Sequence, residues 1–255
     1  MVTKNIWLGL MKLLKLKNKN QKLKIQTNKR KNFIFFIFGF LYLLFSIPVI
    51  SAEQGGDMQA TKNIIELPQP KIKSNVSLEE AIYQRRSKRK FEQKDLSLEQ
   101  IGQLLWAAQG ITNEKMGFRS VPSAGALYPL EIYAVKKDGL FHYVPDGHKI
   151  KLISGEDLRG RLSEAAWGQS FVKEVPLDII ICAVYSRVTS KYGERGARYV
   201  DMEAGHTGQN VQLEAVSLGL GSCVVGAFDP AEVSALLSLP KEEEPLYIIP
   251  VGYTK

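Results

Sequence analysis

Arg198–Phe228, RYVDMEAGHTGQNVQLEAVSLGLGSCVVGAF, is the stretch on which the architecture turns. One set of apolar or small residues falls at Val200, Ala204, Val211, Ala215 and Leu218, and a second at Met202, Gly205, Leu213, Val216 and Leu220. Both sets follow helical spacing on different faces, which predicts a helix that is apolar nearly all round and therefore central. Ala204, Gly205 and Gly208 leave room for another backbone to approach. Gly219-Leu220-Gly221 ends the helix, and Ser222–Ala227 reads as a short buried strand. Asp229-Pro230-Ala231-Glu232 then opens another helix with a cap, a proline in the first turn and an acid three residues after the cap. A strand that ends in a glycine-bearing turn presents backbone N–H groups to a ligand.

Upstream, Ser77-Leu78-Glu79-Glu80 is a capping box for a helix reaching about Arg86. That helix runs into Arg85-Arg86-Ser87-Lys88-Arg89-Lys90, cations interrupted by one hydroxyl. Such a run is either a solvated helix end, where cations suit the dipole, or an anion site in which guanidinium forks and a hydroxyl grip a phosphate. Ser97-Leu98-Glu99-Gln100 is a second capping box, opening a helix over Leu98–Gln109 that stops at Gly110. Ser120–Pro129 follows as a loop of small residues pinned by prolines, suited to turning the chain or to lying flush against a flat ligand. Leu130–Lys136, Leu140–Val144 and Lys149–Ile153 read as strands joined by Lys137-Asp138-Gly139 and Pro145-Asp146-Gly147. Glu156–Trp167 reads as helical, and Leu177–Tyr185 and Pro245–Val251 as apolar strands. The order predicts an α+β or α/β sandwich around a mixed sheet flanked by helices.

The net charge of +8 belongs to one end of the chain. Residues 1–52 carry ten of the 34 Lys and Arg and no acid, which leaves 24 cations against 26 anions beyond them. The body therefore has no overall nucleic-acid signature. Phe33–Ile50 is almost wholly apolar and follows the lysine-rich tail. That pattern predicts a signal peptide or membrane anchor in 1–52, with residues 33–50 as the transmembrane helix and the body anchored or exported on the extracytoplasmic side. Residues 53–76, Gly-, Gln- and Pro-containing, read as a linker or extended arm, and 77–255 as one domain. Cys182 and Cys223 sit in apolar runs without metal-ligand spacing, so no metal site is expected and both read as buried thiols.

Four segments taken together resemble the nitroreductase family of flavin proteins, and in detail its SagB-type dehydrogenase branch. They are RRSKRKF at 85–91, VPSAGALYPLEIY at 121–133, KYGERGARYVDMEAGHTGQNVQLEAVSLGLGSCVVGAFDP at 191–230 and IIPVGY at 248–253. The resemblance implies an FMN-binding α+β fold in which two subunits of a homodimer share each flavin, with hydride passing through flavin N5 to or from a small organic substrate. It implies that Arg85, Arg86, Ser87 and Arg89 hold the phosphate and the pyrimidine edge of the ring. Pro122, Ser123, Ala124, Gly125 and Leu127 would pack on the ring from the neighbouring subunit, and Val225, Gly226 and Ala227 would lie on the side of N5. Lys191-Tyr192 matches the pair with which azoline-oxidising members of the branch act, Tyr192 as proton acceptor and Lys191 assisting it. Three readings stand side by side: a nitroreductase-like oxidoreductase, a SagB-type azoline peptide dehydrogenase, and a flavin-binding dimer without turnover. His206 reads as a packed core histidine, and Gln209 and Asn210 either cap buried backbone or reach the flavin.

Overall fold

In the computed structural model, residues 63–255 are described. A central seven-stranded sheet runs in the order β1 (Ile64–Glu66), β6 (Lys149–Ser154), β5 (Gly139–Val144), β4 (Leu130–Lys136), β7 (Leu177–Ala183), β9 (Glu244–Gly252) and β8 (Gly221–Ser222). Its named strands pair antiparallel. A parallel bridge from Ser87 to Ser222 at the β8 edge makes the sheet mixed there. A separate hairpin, β2 (Ile111–Asn113) and β3 (Phe118–Arg119), stands before the 120–129 loop.

Alternation along β7 decides what covers each side. Leu177, Ile179 and Ile181 face one core with Leu104, Leu105, Val200, Ala204 and Val211, so that face is covered by α2 (Leu98–Gln109) and the long α6 (Arg195–Ser217). Ile180 and Cys182 face a second core with Leu162, Val172 and Val233. These come from α3 (Arg159–Ala165), α4 (Ser170–Glu174) and α7 (Pro230–Leu237). The result is an α+β sandwich with one sheet between two helical layers. The capping signals act as their chemistry dictates. Ser97 and Gln100 form a reciprocal capping box on α2, and Asp229 accepts from the backbone N–H groups of Ala231 and Glu232.

Four expectations are corrected. First, α6 is buried on one face only: Val200, Ala204, Gly208 and Val211 are inside, whereas Met202 and Gly205 are exposed and Leu213 and Val216 half-buried. His206 is likewise exposed. Second, the strand expected over Ser222–Ala227 is reduced to Gly221–Ser222 plus a single bridge from Val225 to Ile248. Cys223 donates its N–H to Pro250 O at 3.3 Å, but a proline has no N–H to return, so the ladder breaks there. Third, the expected helix over Glu156–Trp167 shortens to α3, because Trp167 and Gly168 take positive φ. Fourth, the membrane placement is withdrawn. The apolar run 33–50 lies outside the described residues, and among the described residues no helix is long and apolar enough to cross a membrane.

The stretch read as a linker or arm carries β1, and its later part is held by α2. Gln103 donates to Lys71 O at 3.0 Å and accepts from Lys71 N at 2.8 Å. Cys182 and Cys223 are buried free thiols.

Asp178 is the anomaly of the core. It is the second residue of a fully buried strand, and among the described residues neither carboxylate oxygen meets a hydrogen-bond partner. Burial pushes its pKa well above the usual carboxylate range, against the opposing charge of Arg159. A carboxyl whose folded pKa is raised binds its proton more tightly in the native state, so its contribution to stability is present below the ordinary Asp range and is lost as pH rises. Removing an unsatisfied buried group gains about 1–3 kcal/mol. Asp178→Val therefore raises the melting temperature, and the gain over the unaltered protein is larger at pH 8 than at pH 5. Thermal scans at both pH values check this; a gain that does not grow with pH would disprove the role given to the carboxyl.

Candidate active site

The cationic run is held against the β8 edge. α1 (Leu78–Gln84) ends where Arg85 leaves helical geometry, and Lys88 N–H then donates to Ser222 O at 2.9 Å. Thr254 bridges to Phe91, which brings the chain's end beside the same segment. Arg85, Arg86 and Lys88, with Gln212, Gly221, Ser222 and Thr254, line a cavity of about 250 Å³. No carboxylate lines it, and none of the three cations pairs with a carboxylate among the described residues. Gly221 makes the close approach possible, since a Cβ there would stand 2.2 Å from Thr254 Cγ2 and 2.8 Å from Lys88 Cγ. Unpaired guanidinium and ammonium groups around a cavity with no acid fit a phosphate. Ser87 is exposed beside them. Arg89 does not line the cavity, and its guanidinium carbon stands 5.9 Å from the centre of the Phe171 ring.

A second group forms around the 120–129 loop. Gly125, Ala126 and Tyr128 all have positive φ, of 64°, 54° and 45°. Two non-glycine residues in that region within one short loop mark stored strain. The turn closes through Ala126 N–H to Ser123 O at 3.1 Å and Tyr128 N–H to Ser123 Oγ at 2.9 Å. Pro122 is exposed, and Ala124 and Leu127 are half-buried. Over this turn stand Lys191 and Tyr192, the last residues of α5 (Ser186–Tyr192). A Cβ on Gly125 would lie 2.8 Å from Tyr192 Oη and 3.0 Å from Lys191 Nζ, so both polar tips converge on the glycine. The Tyr192 ring packs edge-on to Tyr199 at 5.4 Å, and Arg187 ties α5 to the loop by donating to Tyr128 O at 3.1 Å.

The third group is Val225, Gly226 and Ala227. Val225 is buried and exchanges backbone bonds with Ile248 at 2.8 and 3.0 Å, whereas Gly226 and Ala227 are exposed. Among the described residues, neither of those two N–H groups meets an acceptor. The structure thus joins 85–88 to 221–222 and 122–127 to 191–192 within one chain. No hydrogen bond among the described residues links those two groups.

Beneath the loop lies a polar network that the motif reading missed. Glu203 is 2% exposed and accepts from Gln109 Nε2 at 3.4 Å, with the Ser123 hydroxyl nearby. Gln109 also donates to Thr207 at 3.3 Å and accepts from Arg119 Nη1 at 3.1 Å. Arg119 in turn lies over the Tyr128 ring, 4.6 Å from its centre. Burial raises the Glu203 pKa, opposed by hydrogen bonds from Ser123 and Gln109 and by the charge of Arg119; burial lowers that of Arg119. Asn210 resolves as a backbone cap, donating to Ala107 O at 3.3 Å and Ser120 O at 3.2 Å. The legible signal was a Glu and a Thr, four residues apart, on the face shared by Val200 and Val211.

The model of the Nitroreductase family matches residues 82–253. The chain belongs to the nitroreductase family. It is 43% identical over 194 residues to a Methanocaldococcus jannaschii protein named as a nitroreductase, covering 74% of this chain and 96% of that one. A crystal structure of a Ralstonia eutropha protein named likewise superposes with a TM-score of 0.70 at 31% identity, over 76% of this chain and 90% of the other. The microcin B17-processing protein McbC of Escherichia coli is 25% identical over 155 residues, 56% of this chain and 57% of McbC. The protein is therefore a nitroreductase-family oxidoreductase, of a family that typically binds flavin.

Proposed function

We propose that this nitroreductase-family chain is an FMN-dependent oxidoreductase acting on a small organic substrate, with residues 77–255 as its flavin-binding domain. The observation that carries the reading is the acid-free cavity lined by Arg85, Arg86 and Lys88, adjoining the glycine-bearing edge at Gly221. Bound FMN would supply the two-electron redox chemistry. Arg85 and Arg86, with Ser87 beside them, would hold its phosphate by charge-assisted bonds, and Arg89 would lie toward the ring. The unpaired N–H groups of Gly226 and Ala227 are donors available to a ring edge. The strained turn at Ser123–Gly125 offers a flat backbone surface, and the Tyr192 Oη beside it is placed to take a proton, with Lys191 Nζ as its neighbour.

The uncovered face of α6 supports a homodimer. Met202, Gly205, Leu213 and Val216, together with exposed Leu78, Ile82 and Tyr83 of α1, form an apolar surface that one chain leaves open. By the family likeness, a second copy would supply its 122–127 turn to the ring of a flavin held at the 85–88 cavity. This supports two shared sites per dimer.

A SagB-type alternative, oxidation of an azoline ring in a peptide, is favoured by one specific observation: the convergence of Lys191 and Tyr192 on Gly125. The likeness to McbC, a microcin-processing protein, points the same way.

Size-exclusion chromatography with visible absorbance tests the main reading. The protein should elute at the mass of a dimer, yellow, and release FMN on denaturation as identified by mass. A colourless protein that also refuses added FMN would overturn it.

A further inference from the structure

Glu203 belongs to no group that would touch flavin or substrate, yet it is the most deeply buried acid beneath the strained turn. We infer that Glu203 is a positioning residue that sets where Ser123–Gly125 sits against Lys191 and Tyr192, an inference that rests on reading this turn as the ring-facing wall of the site.

α6 carries Glu203 and Thr207 one turn apart on its buried face, where Gln109 of α2 bonds to both. Gln109 passes the connection to Arg119, which stacks on Tyr128 and whose backbone N–H donates to Tyr128 Oη at 3.1 Å. The Ser123 hydroxyl, close enough to Glu203 to favour its charged form, itself accepts from Tyr128 N–H. The Tyr128 end of the turn is therefore tied to the carboxyl through Gln109 and Arg119, and the Ser123 end lies beside it. The three positive φ angles between those ends make the turn a conformation that needs holding. A buried polar network is stiff when every member is satisfied, and loses that stiffness when one member is removed. Gly125 stands at the apex, so a displaced turn moves the surface on which Tyr192 Oη and Lys191 Nζ converge.

Hydrogen exchange of the full chain, taken without flavin, tests this. Glu203→Ala should speed exchange of the 119–128 amides about tenfold, the loss of roughly one buried hydrogen bond, while β6 amides (149–154) stay unchanged. Glu203→Gln, which keeps hydrogen-bonding groups in place, should restore slow exchange. Ser123→Ala removes only the hydroxyl link and should reproduce part of the effect, so the proposal stays testable if Glu203→Ala does not fold. Unchanged 119–128 exchange in Ser123→Ala and in a folded Glu203→Ala would overturn it. With flavin, Glu203→Ala should weaken FMN and riboflavin by the same factor, because it acts on the wall of the ring; a loss confined to FMN would place its effect at the phosphate and overturn the proposal. Failure of the unaltered protein to bind FMN would sink the flavin reading alone, since the exchange result does not depend on it.

Discussion

Replacing Arg85 and Arg89 together by alanine leaves the protein folded and strips it of FMN. Arg85 is half-buried on the wall of the acid-free cavity, and Arg89 is exposed beside Phe171. Neither guanidinium holds the fold through an ion pair among the described residues. Stability should therefore change little. A hydrogen bond to a charged group contributes about 1.5–3 kcal/mol, so losing two lowers flavin affinity about 10²- to 10⁴-fold. The loss should be smaller at high salt, where the unaltered protein also binds more weakly. Riboflavin, which has no phosphate, separates the two contributions: it should lose only what Arg89 supplies at the ring, and so less than FMN. Visible absorbance after desalting, followed by flavin titration, measures both. Full retention of FMN by the double variant would show that the phosphate sits elsewhere.

Tyr192→Phe keeps flavin and loses turnover. The substitution removes one oxygen and leaves the ring that packs edge-on against Tyr199, so neither α5 nor the turn beneath it should shift. A positioned acid–base group contributes about 10²- to 10⁴-fold to a proton-transfer step. Single-turnover reduction of the bound flavin by an azoline-bearing peptide should slow by that factor, with flavin content unchanged. An equal rate in both proteins would retire Tyr192 as proton acceptor and with it the main support for the peptide-oxidising alternative. Slowing of the peptide reaction only, with rates on small nitro compounds unchanged, would assign the residue to the peptide chemistry.

Local signals proved legible where one short stretch contains its own cause. The capping box at Ser97, the Asp229-Pro230 helix start and the hairpin through Lys137–Gly139 depend on neighbours within a few residues, and the structure forms each of them; at Ser77 it forms the cap to Glu80 N–H without the reciprocal bond. The apolar run at Leu177–Ala183 became the central strand because continuous hydrophobicity demands cover on both faces. Periodicity misled on α6. Small and apolar residues all round the helix signalled burial, but within one chain only the Val200–Val211 face is covered. A helix that is small and apolar all round but covered on one side carries the same pattern as a helix buried on every side.

By itself, the sequence determined the α+β order, the two helical layers and the segments that resemble the nitroreductase family, because caps, turns and hydrophobic alternation act over short range. It could not determine which residues meet. The cations at 85–88 reach Gly221 and Thr254 only because the β8 edge bridges to Ser87. Lys191 and Tyr192 reach Gly125 only because Arg187 docks α5 on the Tyr128 carbonyl. Glu203 acquires its place under Ser123 only because α6 crosses α2 at Gln109. Those meetings join residues far apart in the chain, and long-range packing, which no local pattern encodes, is what brings them within bonding distance.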